Sequence, residues 1–490
     1  MVAPSFPRSC VLHCLLALAI AAPSLLPAAA TSPSAPDIDR SEYHARRLAL
    51  AAELRKELPA GGTGVLVLHG APEPDNATYR QESNLYYLTG TEIPGSTLVL
   101  AFDAPESGGK GSRRLPKAKT GHVVEYFYLP ERDYRAERWT GAKPGAGGLV
   151  KETLEPDAER REAMEATGFE SIPESDYPSR AFPRGPIQRA ADLQRHLNLF
   201  LGMAAVLFHQ ADAVPLGEAL SFDLAFLREV RDHYPLLPVK NPEKALGRLR
   251  MIKSPSEIGL LRRAIEISCR AQLDAMEQAR PGMPEYEIQA IIEKRFTSSG
   301  ARRPGYPSIV GSGPNSCVLH YDASERTGEQ EDLLLMDVGA EYKRYTADVT
   351  RTIPLSGRFT PEQRKIYEIV LRAQKAAIAA IRPGVPFVDI HKTARKVIEE
   401  AGYGSQFFHG TSHFLGLDVH DAGDTSATLR AGMVLTVEPG IYIPEKRIGV
   451  RIEDDVLVTP DGAELLSGCA PREADAVETQ MAEGLKSGSR

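Results

Sequence analysis

The pattern of hydrophobic and polar positions divides the chain into two halves. In the first half, apolar residues recur near helical spacing and predict a helix over Glu42–Leu58. Short apolar runs after it have the length of buried strands, at 64–68, 97–102, 123–129 and 204–208, and a second helix is predicted near 218–233. Helices and strands therefore alternate, which predicts a mixed α/β domain over residues 41–240.

The second half opens with a well-marked helix start. Residues Ser254–Glu257 are a capping box with proline at the first helical position, and Thr360–Gln363 repeat this start. A third helix is predicted over Phe387–Ala401, ending at Gly402, a glycine suited to the position after a helix. Predicted strand pairs lie between the helices, so this order indicates an α+β domain over residues 248–480.

The first predicted hairpin of this half carries two acidic residues in an apolar context. If its turn is centred on Tyr342-Lys343, Asp337 and Asp348 lie directly opposite each other. Opposed Cβ atoms are about 4.5–5.5 Å apart, so two like charges there repel. A divalent cation removes this repulsion because it binds carboxylate oxygens, and the pair is therefore interpreted as metal ligands.

The second predicted hairpin repeats the geometry. A turn centred on Glu445-Lys446 places Glu438 opposite Glu453. For a single acid, a solvated position on a hairpin edge is the default. Four acids in apolar strand contexts are poorly explained by that default or by ion pairing alone.

Histidines are concentrated between the two hairpins. His409, His413 and His420 lie within a dozen residues, flanked by glycines that permit close backbone approach, and His320 follows another glycine-containing stretch. A lone histidine is usually a hydrogen-bonded structural group, but this clustering favours a functional interpretation.

Four segments now carry a resemblance to a known family: MDVGAEYKRYTADVTRT, HGTSHFLGLDVHD, LTVEPGIYI and GVRIEDD. They resemble, in order and spacing, the signature blocks of the creatinase/aminopeptidase-fold metallopeptidases, above all the Xaa-Pro aminopeptidases (aminopeptidase P). In the first half, Tyr79–Gly90 resembles a segment of the aminopeptidase P N-terminal domain. The resemblance implies a pita-bread catalytic domain behind a smaller creatinase-like α/β domain.

The resemblance also implies a metal centre. Its ligands in this chain would be Asp337, Asp348, His413, Glu438 and Glu453, with Asp348 and Glu453 bridging two divalent ions, expected to be Mn²⁺. A hydroxide shared by the ions would attack the N-terminal Xaa-Pro bond, and Glu438 would accept a proton while remaining a ligand.

Roles for the other site residues follow from the same resemblance. His320 would hydrogen-bond the developing oxyanion, and His420 with His409 would orient the substrate and help to protonate the leaving nitrogen. Tyr442 and Arg451 match positions near the pocket for the proline ring. A packed tyrosine and an ion-paired strand arginine are the alternative interpretation of these two residues. Tyr86 stands where some bacterial relatives carry tryptophan, which puts a subsite there in question.

Three other functions are weighed. A prolidase, which accepts only dipeptides, is the nearest, but the connection over 421–435 is short and 456–477 resembles aminopeptidase P homologues more closely. A non-catalytic binding protein of the same fold would lose metal ligands, whereas all five candidates are present. Creatinase-like amidine hydrolysis without metal would leave the clustered carboxylates unexplained.

Composition and the N-terminus add the cellular context. The 490 residues carry a formal net charge of −7 without a long basic run, so nucleic acid binding is not expected. Residues 1–30 have the pattern of a signal peptide, followed by a disordered mature terminus at 31–40, which predicts a secreted or periplasmic protein with no membrane segment after cleavage. The Gly-, Lys- and Arg-rich stretch 106–120 is predicted to be a mobile hairpin insertion.

The cysteine content limits the possible disulfides, and analogy with the family predicts the oligomeric state. Cys269, Cys317 and Cys469 remain after the signal, an odd set that permits one disulfide or free thiols. Relatives are often dimers or tetramers, so a homo-oligomer is expected by analogy.

Overall fold

The structure is a computed structural model, and it describes residues 37–74, 78–104, 123–133, 137–141 and 186–487, with positions 115, 135, 164, 167–169 and 182–183. The predicted signal peptide, residues 31–36 of the predicted disordered terminus and nearly all of the predicted insertion 106–120 lie outside the described residues. The end of that terminus is instead ordered, because the Asp39 carboxylate accepts the Ser41 N–H at 2.8 Å and caps the first helix. The described residues belong to one compact unit.

Helices are distributed over both halves of the described chain. They are α1 (Arg40–Arg55), α2 (Ser83–Thr89), α3 (Glu137–Thr140), α4 (Leu193–Met203), α5 (Phe222–His233), α6 (Glu243–Arg250), α7 (Pro255–Gln278), α8 (Glu285–Ser298), α9 (Pro361–Ala380), α10 (Val388–Glu400) and α11 (Ala474–Ser487). None of the helices in the described part of the chain has the length and apolar character that a membrane span requires.

Strands form one large sheet in the first half and several small ones in the second. They are β1 (Thr63–His69), β2 (Thr97–Asp103), β3 (Val123–Leu129), β4 (Ile187–Arg189), β5 (Val206–His209), β6 (Val239–Lys240), β7 (Arg303–Pro304), β8 (Ile309–Ser312), β9 (Leu333–Val338), β10 (Ala340–Tyr342), β11 (Tyr345–Thr346), β12 (Val349–Pro354), β13 (Val434–Val437), β14 (Gly440–Ile443), β15 (Ile448–Arg451), β16 (Asp454–Val458) and β17 (Ala463–Leu465).

The first half is a mixed α/β lobe, as predicted. Its sheet has the order β4-β3-β2-β1-β5-β6, with β1 antiparallel to β2 and parallel to β5. Apolar side chains from the strands pack against α4 and α5, with Val67, Tyr126 and Phe200 fully buried. The predicted helix near 218–233 begins only at Phe222, because the Ser221 hydroxyl accepts the Leu224 N–H and caps it there.

Helices α7 and α9 of the second half begin at the two predicted capping boxes. In both, the cap hydroxyl and the residue at the third helical position exchange hydrogen bonds with backbone N–H groups. Helix α10 ends as predicted, since Gly402 has φ of +85°, a conformation that glycine adopts at little cost. These helices cover the strand pairs that carry the acidic residues.

The first acidic hairpin has a different register from the predicted one. Asp337 pairs with Thr350, so the turn is centred on Lys343 and Arg344, one residue later than predicted. Both turn residues have positive φ, 46° and 75°, as a two-residue type I′ turn requires. Asp337 and Asp348 are therefore diagonal neighbours on one face, about 7–8 Å apart at Cα, rather than a directly opposed pair.

The second acidic hairpin has the predicted register. Strands β13 and β16 pair in the same register as β14 and β15, so the hairpin is centred on Glu445-Lys446. This register places Glu438 opposite Glu453 in the short interval between the two strand pairs. The chain leaves regular pairing at the acidic residues themselves, which lets their side chains turn toward a common point.

A buried glutamine from α7 braces the first hairpin. The Gln272 side-chain amide donates to the carbonyls of Met336 and Val349, at 3.0 and 2.9 Å. These carbonyls belong to the neighbours of Asp337 and Asp348 in the chain. The single amide group therefore fixes the backbone beside both carboxylates.

Helix α9 supports the second hairpin in the same way. The Gln374 amide donates to the carbonyls of Val437 and Ile452, at 3.3 and 3.2 Å. Each carbonyl immediately precedes one of the two glutamates, Glu438 and Glu453. The two acidic hairpins are therefore supported in the same way. Each is packed under a helix that begins at a capping box and donates hydrogen bonds from one glutamine side chain to the hairpin backbone.

A charged network joins the first half to the second. Arg80 donates to Asp418 Oδ1 at 3.1 Å, and the Ser83 hydroxyl donates to the same oxygen at 2.8 Å. Arg250, which is 3% exposed, donates to Asp418 and Asp421 at 2.8 and 2.5 Å. The segment Tyr79–Gly90, which carries the resemblance in the first half, therefore supports the histidine-rich loop of the second.

Cys269 and Cys469 form a disulfide across 200 residues of sequence, joining α7 to the loop before α11. Cys317 is a free, partly exposed thiol. The same loop supplies the Ala470 carbonyl to Arg351, which donates to the Glu453 carbonyl. The disulfide therefore fixes a loop that lies behind the second acidic hairpin.

We expect reduction of this disulfide to lower the free energy of unfolding by about 2–4 kcal/mol, because the cross-link restricts the unfolded chain. Urea unfolding of the metal-stripped protein with and without a thiol reductant measures the change. Cys317→Ser should respond to reductant like the wild type, whereas the double variant Cys269→Ser/Cys469→Ser should not respond. Equal midpoints for the oxidised and reduced wild type would contradict the expectation.

Candidate active site

A cleft of about 520 Å³ in the second half collects most of the predicted site residues. Its polar lining is formed by Tyr306, His320, Asp322, Asp337, Asp348, His409, Ser412, His413, His420, Glu438, Arg451 and Glu453. Its apolar lining comprises Pro307, Ile309, Leu319 and Val419. Residues separated by more than a hundred positions in the sequence thus share one cavity with a charged floor and an apolar wall.

Three of the five predicted metal ligands converge most closely. Asp348, His413 and Glu453 each offer a ligand atom, and these atoms all lie within 4.8 Å of one another. His413 Nε2 is 3.4 Å from Asp348 Oδ2 and 3.5 Å from Glu438 Oε1. Four donor side chains from the two hairpins and the intervening loop therefore face one point.

Asp337 lies beside this group and is held by neighbouring side chains. The Tyr306 hydroxyl is 2.6 Å from Asp337 Oδ1 and 2.5 Å from Asp348 Oδ1, so it links the two aspartates. Arg451 donates to Asp337 Oδ2 at 2.5 Å. The fifth predicted ligand thus lines the same cleft, and each of its oxygens accepts one hydrogen bond, from Tyr306 or from Arg451.

The backbone around the ligands is tied across the two hairpins. The Thr350 hydroxyl donates to Glu453 Oε2 at 2.6 Å. The Glu438 N–H donates to the Thr411 carbonyl at 2.8 Å. Thr411 lies two positions before His413 in the chain. Ligands from different segments are therefore fixed relative to one another by hydrogen bonds that do not occupy all their donor atoms.

Burial opposes the negative charge of this cluster. It raises the pKa of Asp337, raises that of Glu438 to about 7, and raises that of Glu453 well above its usual range. Burial acts in the same direction on Asp348, but the hydrogen bond from His413 holds its pKa below the ordinary value. Burial alone would lower the pKa of His413, yet the Asp348 carboxylate raises it to about 9.

These pKa shifts indicate that His413 and Arg451 balance only part of the negative charge of the four carboxylates. Hard divalent cations take carboxylate oxygens, and imidazole adds a ligand that suits first-row transition ions. A donor set of four carboxylates and one imidazole, buried and facing one cleft, therefore fits divalent metal ions.

His409 and Tyr442 form a pair at the edge of the cleft. His409 Nδ1 donates to the Gly410 carbonyl at 2.7 Å, and His409 Nε2 lies 3.0 Å from the Tyr442 hydroxyl. Arg451 also donates to that hydroxyl at 3.0 Å. Tyr442 is 1% exposed and packs behind the cleft with Ile309, so its contact with the cavity is through these partners.

His420 and His320 have more freedom than His409. The His420 ring packs edge-on against His413, with ring centroids 4.4 Å apart, and burial lowers its pKa. His320 is exposed and also lines the cleft. Both imidazoles can therefore reach a molecule bound in the cavity.

Several residues of the site were missed from the sequence. Tyr306 bridges two aspartates, and Asp455 is fully buried and accepts the Asp348 N–H at 3.1 Å. Asp455 directly follows the acidic pair 453–454 in GVRIEDD, so its position in the sequence could have indicated that it lies near the site. Tyr306 lies 31 positions before Asp337 without a motif of its own, and only the folded chain shows its role.

Tyr86 lies away from this cleft in the described chain. The Arg344 guanidinium stacks over its ring, 4.7 Å from the ring centroid. Arg344 also donates to the Gln81 carbonyl at 2.8 Å. Tyr86 therefore belongs to the contact between the two halves of this chain.

Comparisons with known proteins agree with this geometry. Residues 259–460 match metallopeptidase family M24, and residues 43–167 match the aminopeptidase P N-terminal domain. A Xaa-Pro aminopeptidase of Escherichia coli (strain K12) is 33% identical over 92% of this chain and 99% of its own length. A Xaa-Pro dipeptidase of Pyrococcus horikoshii is 34% identical over 67% of this chain and 88% of its own length.

Solved structures give the same result for the fold. The structure of E. coli aminopeptidase P with the inhibitor Pro-Leu has a TM-score of 0.73 at 31% identity, covering 92% of this chain and 100% of that one. The predicted pita-bread domain behind an aminopeptidase P-like α/β domain is thereby confirmed. The chain is a peptidase hydrolase, and it belongs to the M24 family of metallopeptidases, whose members use divalent metal ions.

Proposed function

We propose that the protein is a Xaa-Pro aminopeptidase, which hydrolyses the first peptide bond of peptides with proline at the second position. The observation that carries this proposal is the convergence of Asp348, His413 and Glu453 on one point, with Glu438 3.5 Å from His413 and Asp337 in the same cleft. Similarity to a curated Xaa-Pro aminopeptidase over 92% of the chain supports the substrate class.

The proposed centre would hold two divalent ions, with Mn²⁺ as the expected metal. Asp337, Asp348, His413, Glu438 and Glu453 are the proposed ligands, and Asp348 and Glu453 would serve both ions. When bound, the ions would supply an activated water as the nucleophile at neutral pH.

The chain's own residues supply the remaining chemistry. Glu438 would accept a proton from the nucleophile while remaining a ligand. His320 donates a hydrogen bond to the carbonyl oxygen as negative charge develops there. His420 protonates the leaving proline nitrogen, and His409, anchored by Gly410 and Tyr442, orients the substrate beside it.

The apolar wall of the cleft suits a proline ring. Pro307, Ile309, Leu319 and Val419 line the cavity beside the carboxylates. Arg451 lines it too, but its guanidinium is engaged by Asp337 and Tyr442, so it shapes the pocket from behind. A rigid apolar surface favours proline because the ring buries carbon without a backbone N–H to satisfy.

A prolidase is the alternative that a specific observation favours. The P. horikoshii Xaa-Pro dipeptidase is 34% identical, slightly more than the E. coli aminopeptidase, although over a smaller share of this chain. The two activities share the metal centre and differ in whether a residue after proline is accepted. Substrate length therefore decides between them.

Export to the periplasm or the cell exterior is also proposed. The signal-like pattern at residues 1–30 and the disulfide between Cys269 and Cys469 support it, because structural disulfides persist in oxidising compartments. Assembly into a dimer or tetramer stays a prediction, which sedimentation of the purified protein can test.

We expect the Mn²⁺-loaded enzyme to cleave Gly-Pro-Leu at least as well as the dipeptide Gly-Pro. A strict preference for the dipeptide would assign a prolidase instead, and Gly-Ala-Leu serves as the matched control for proline. Release of glycine, measured by chromatography, reports each reaction. Loss of all activity on chelation, with recovery on adding Mn²⁺, is expected for every substrate that is cleaved.

We expect Asp348→Asn to lose bound metal and to lower kcat/KM. The loss should exceed the 10–100-fold that is typical when a residue contacting a metal ligand is replaced. The substitution keeps the shape of the side chain but removes the charge that a bridging ligand supplies. Metal content by mass spectrometry and peptide turnover are measured together. Asp461→Asn, on an exposed turn, is the control. Full turnover by a metal-free Asp348→Asn protein would refute the mechanism.

His320→Ala should lower kcat by about 10²–10³-fold while the metal content stays unchanged, as expected when a donor to the developing oxyanion is removed. His320→Gln retains a hydrogen-bond donor and should recover part of the rate. Metal content and steady-state kinetics on Gly-Pro-Leu distinguish the outcomes. Depletion of metal in the alanine variant would contradict the role given to His320.

A further inference from the structure

Two histidines and an aspartate meet in the N-terminal lobe, on elements that take no part in the catalytic cleft. His69 ends strand β1, His209 ends strand β5, and Asp223 lies in the first turn of helix α5. Each offers one ligand atom, and the three atoms lie within 4.8 Å of one another. His209 Nε2 is 3.1 Å from Asp223 Oδ1.

The ring nitrogens of His209 have distinct environments. Its Nδ1 lies 2.8 Å from the Val67 carbonyl, an acceptor only, so Nδ1 carries a proton. In the neutral ring, Nε2 then presents a lone pair toward the Asp223 carboxylate. His209 is 2% exposed, and its Nε2 has no hydrogen-bond partner among the described residues. A buried lone pair facing a carboxylate is unfavourable unless a proton or a metal cation lies between them.

His69 completes the arrangement from the neighbouring strand. Its Nδ1 lies 3.0 Å from the Thr97 hydroxyl, while its Nε2 is buried and likewise lacks a hydrogen-bond partner within the described chain. An imidazole held through one nitrogen, with the other free to bind, is the usual state of a metal-ligating histidine. Two such imidazoles and a carboxylate thus point their unused donor atoms toward one another.

The surroundings suit a bound ion. The rings of Phe222 and Phe226 pack edge-on against His69, with centroids 5.0 and 4.9 Å away, and exclude water from one side. The Asp223 side chain is 35% exposed, which leaves a path from solvent. Strands β1 and β5 are parallel neighbours, and the carboxyl ends of parallel strands in α/β sheets are common ligand sites.

We propose that His69, His209 and Asp223 bind a Zn²⁺ ion, with water as its fourth ligand. Two imidazoles and one carboxylate suit zinc, whereas Mg²⁺ and Ca²⁺ prefer oxygen ligands alone. Ligand atoms around tetrahedral zinc lie about 3.3 Å apart. The His209–Asp223 distance of 3.1 Å is close to this spacing, and the ligand atom of His69 lies within 4.8 Å of both. The ion would fasten the start of α5 to the sheet.

The test compares zinc binding by the full-length wild type and three variants after metal removal. His209→Asn keeps a donor for the Val67 carbonyl but has no Nε2, and Asp223→Asn removes only charge at a partly exposed position. His233→Gln, on the exposed face of the same helix, is the matched control. Bound zinc is counted by mass spectrometry after dialysis, and affinity is measured by titration with Zn²⁺ alone.

We expect wild type and His233→Gln to bind one more zinc per chain than His209→Asn and Asp223→Asn. At this site, wild type and His233→Gln should bind zinc more tightly than the two ligand variants. The difference should be at least the 10–100-fold loss that follows when a residue contacting a metal ligand is replaced. Zinc should raise the Tm of the wild type more than that of Asp223→Asn, and Mg²⁺ should not compete. Peptidase activity in Mn²⁺ should be the same in all four proteins, so this result is independent of the catalytic proposal.

Equal zinc stoichiometry and affinity in all four proteins would overturn the proposal. In that case the His209–Asp223 contact is an ion pair of a doubly protonated imidazole. If His209→Asn fails to fold, the comparison of Asp223→Asn with His233→Gln decides alone, because Asp223 is partly exposed and its replacement keeps the same shape.

Discussion

Negative charge buried in an apolar scaffold is the constraint around which the catalytic domain is organised. Asp337, Asp348, Glu453 and Asp455 are each less than a tenth exposed, and burial disfavours their charged forms. Part of this negative charge is balanced by Arg451 and His413, and the Tyr306 hydroxyl donates to the aspartates. The negative charge that remains favours the binding of a cation. Such a cluster is costly for stability, which is why it indicates function rather than folding.

The fold holds this cluster together by repeating one structural unit. Two long helices, α7 and α9, each begin at a capping box and each brace an acidic hairpin through one buried glutamine, Gln272 or Gln374. The glutamine amides bond to backbone carbonyls next to the proposed ligands, so they fix the position of these acids without bonding to the ligand oxygens.

The N-terminal lobe contributes to the site although none of its residues lines the cleft in the described chain. Arg80 and Ser83 hold Asp418, and Arg250 connects Asp418 with Asp421. These two aspartates flank His420, whose ring packs on His413. Contacts between the lobes therefore reach His420 through the loop that carries Asp418 and Asp421, and residues of the segment Tyr79–Gly90 make two of these contacts.

The sequence by itself indicated the fold class, the starts of α7 and α9, and the acids and histidines that the structure brings to the cleft. Capping boxes and strand patterns depend on local chemistry, and the family blocks contain the acids and histidines. Only the tertiary structure decided the register of the first hairpin, because a turn centred one residue later at Lys343-Arg344 leaves the same local pattern of apolar residues. It also revealed Tyr306 between the aspartates and the meeting of His69, His209 and Asp223, since contacts between residues distant in sequence arise only when separate elements pack together.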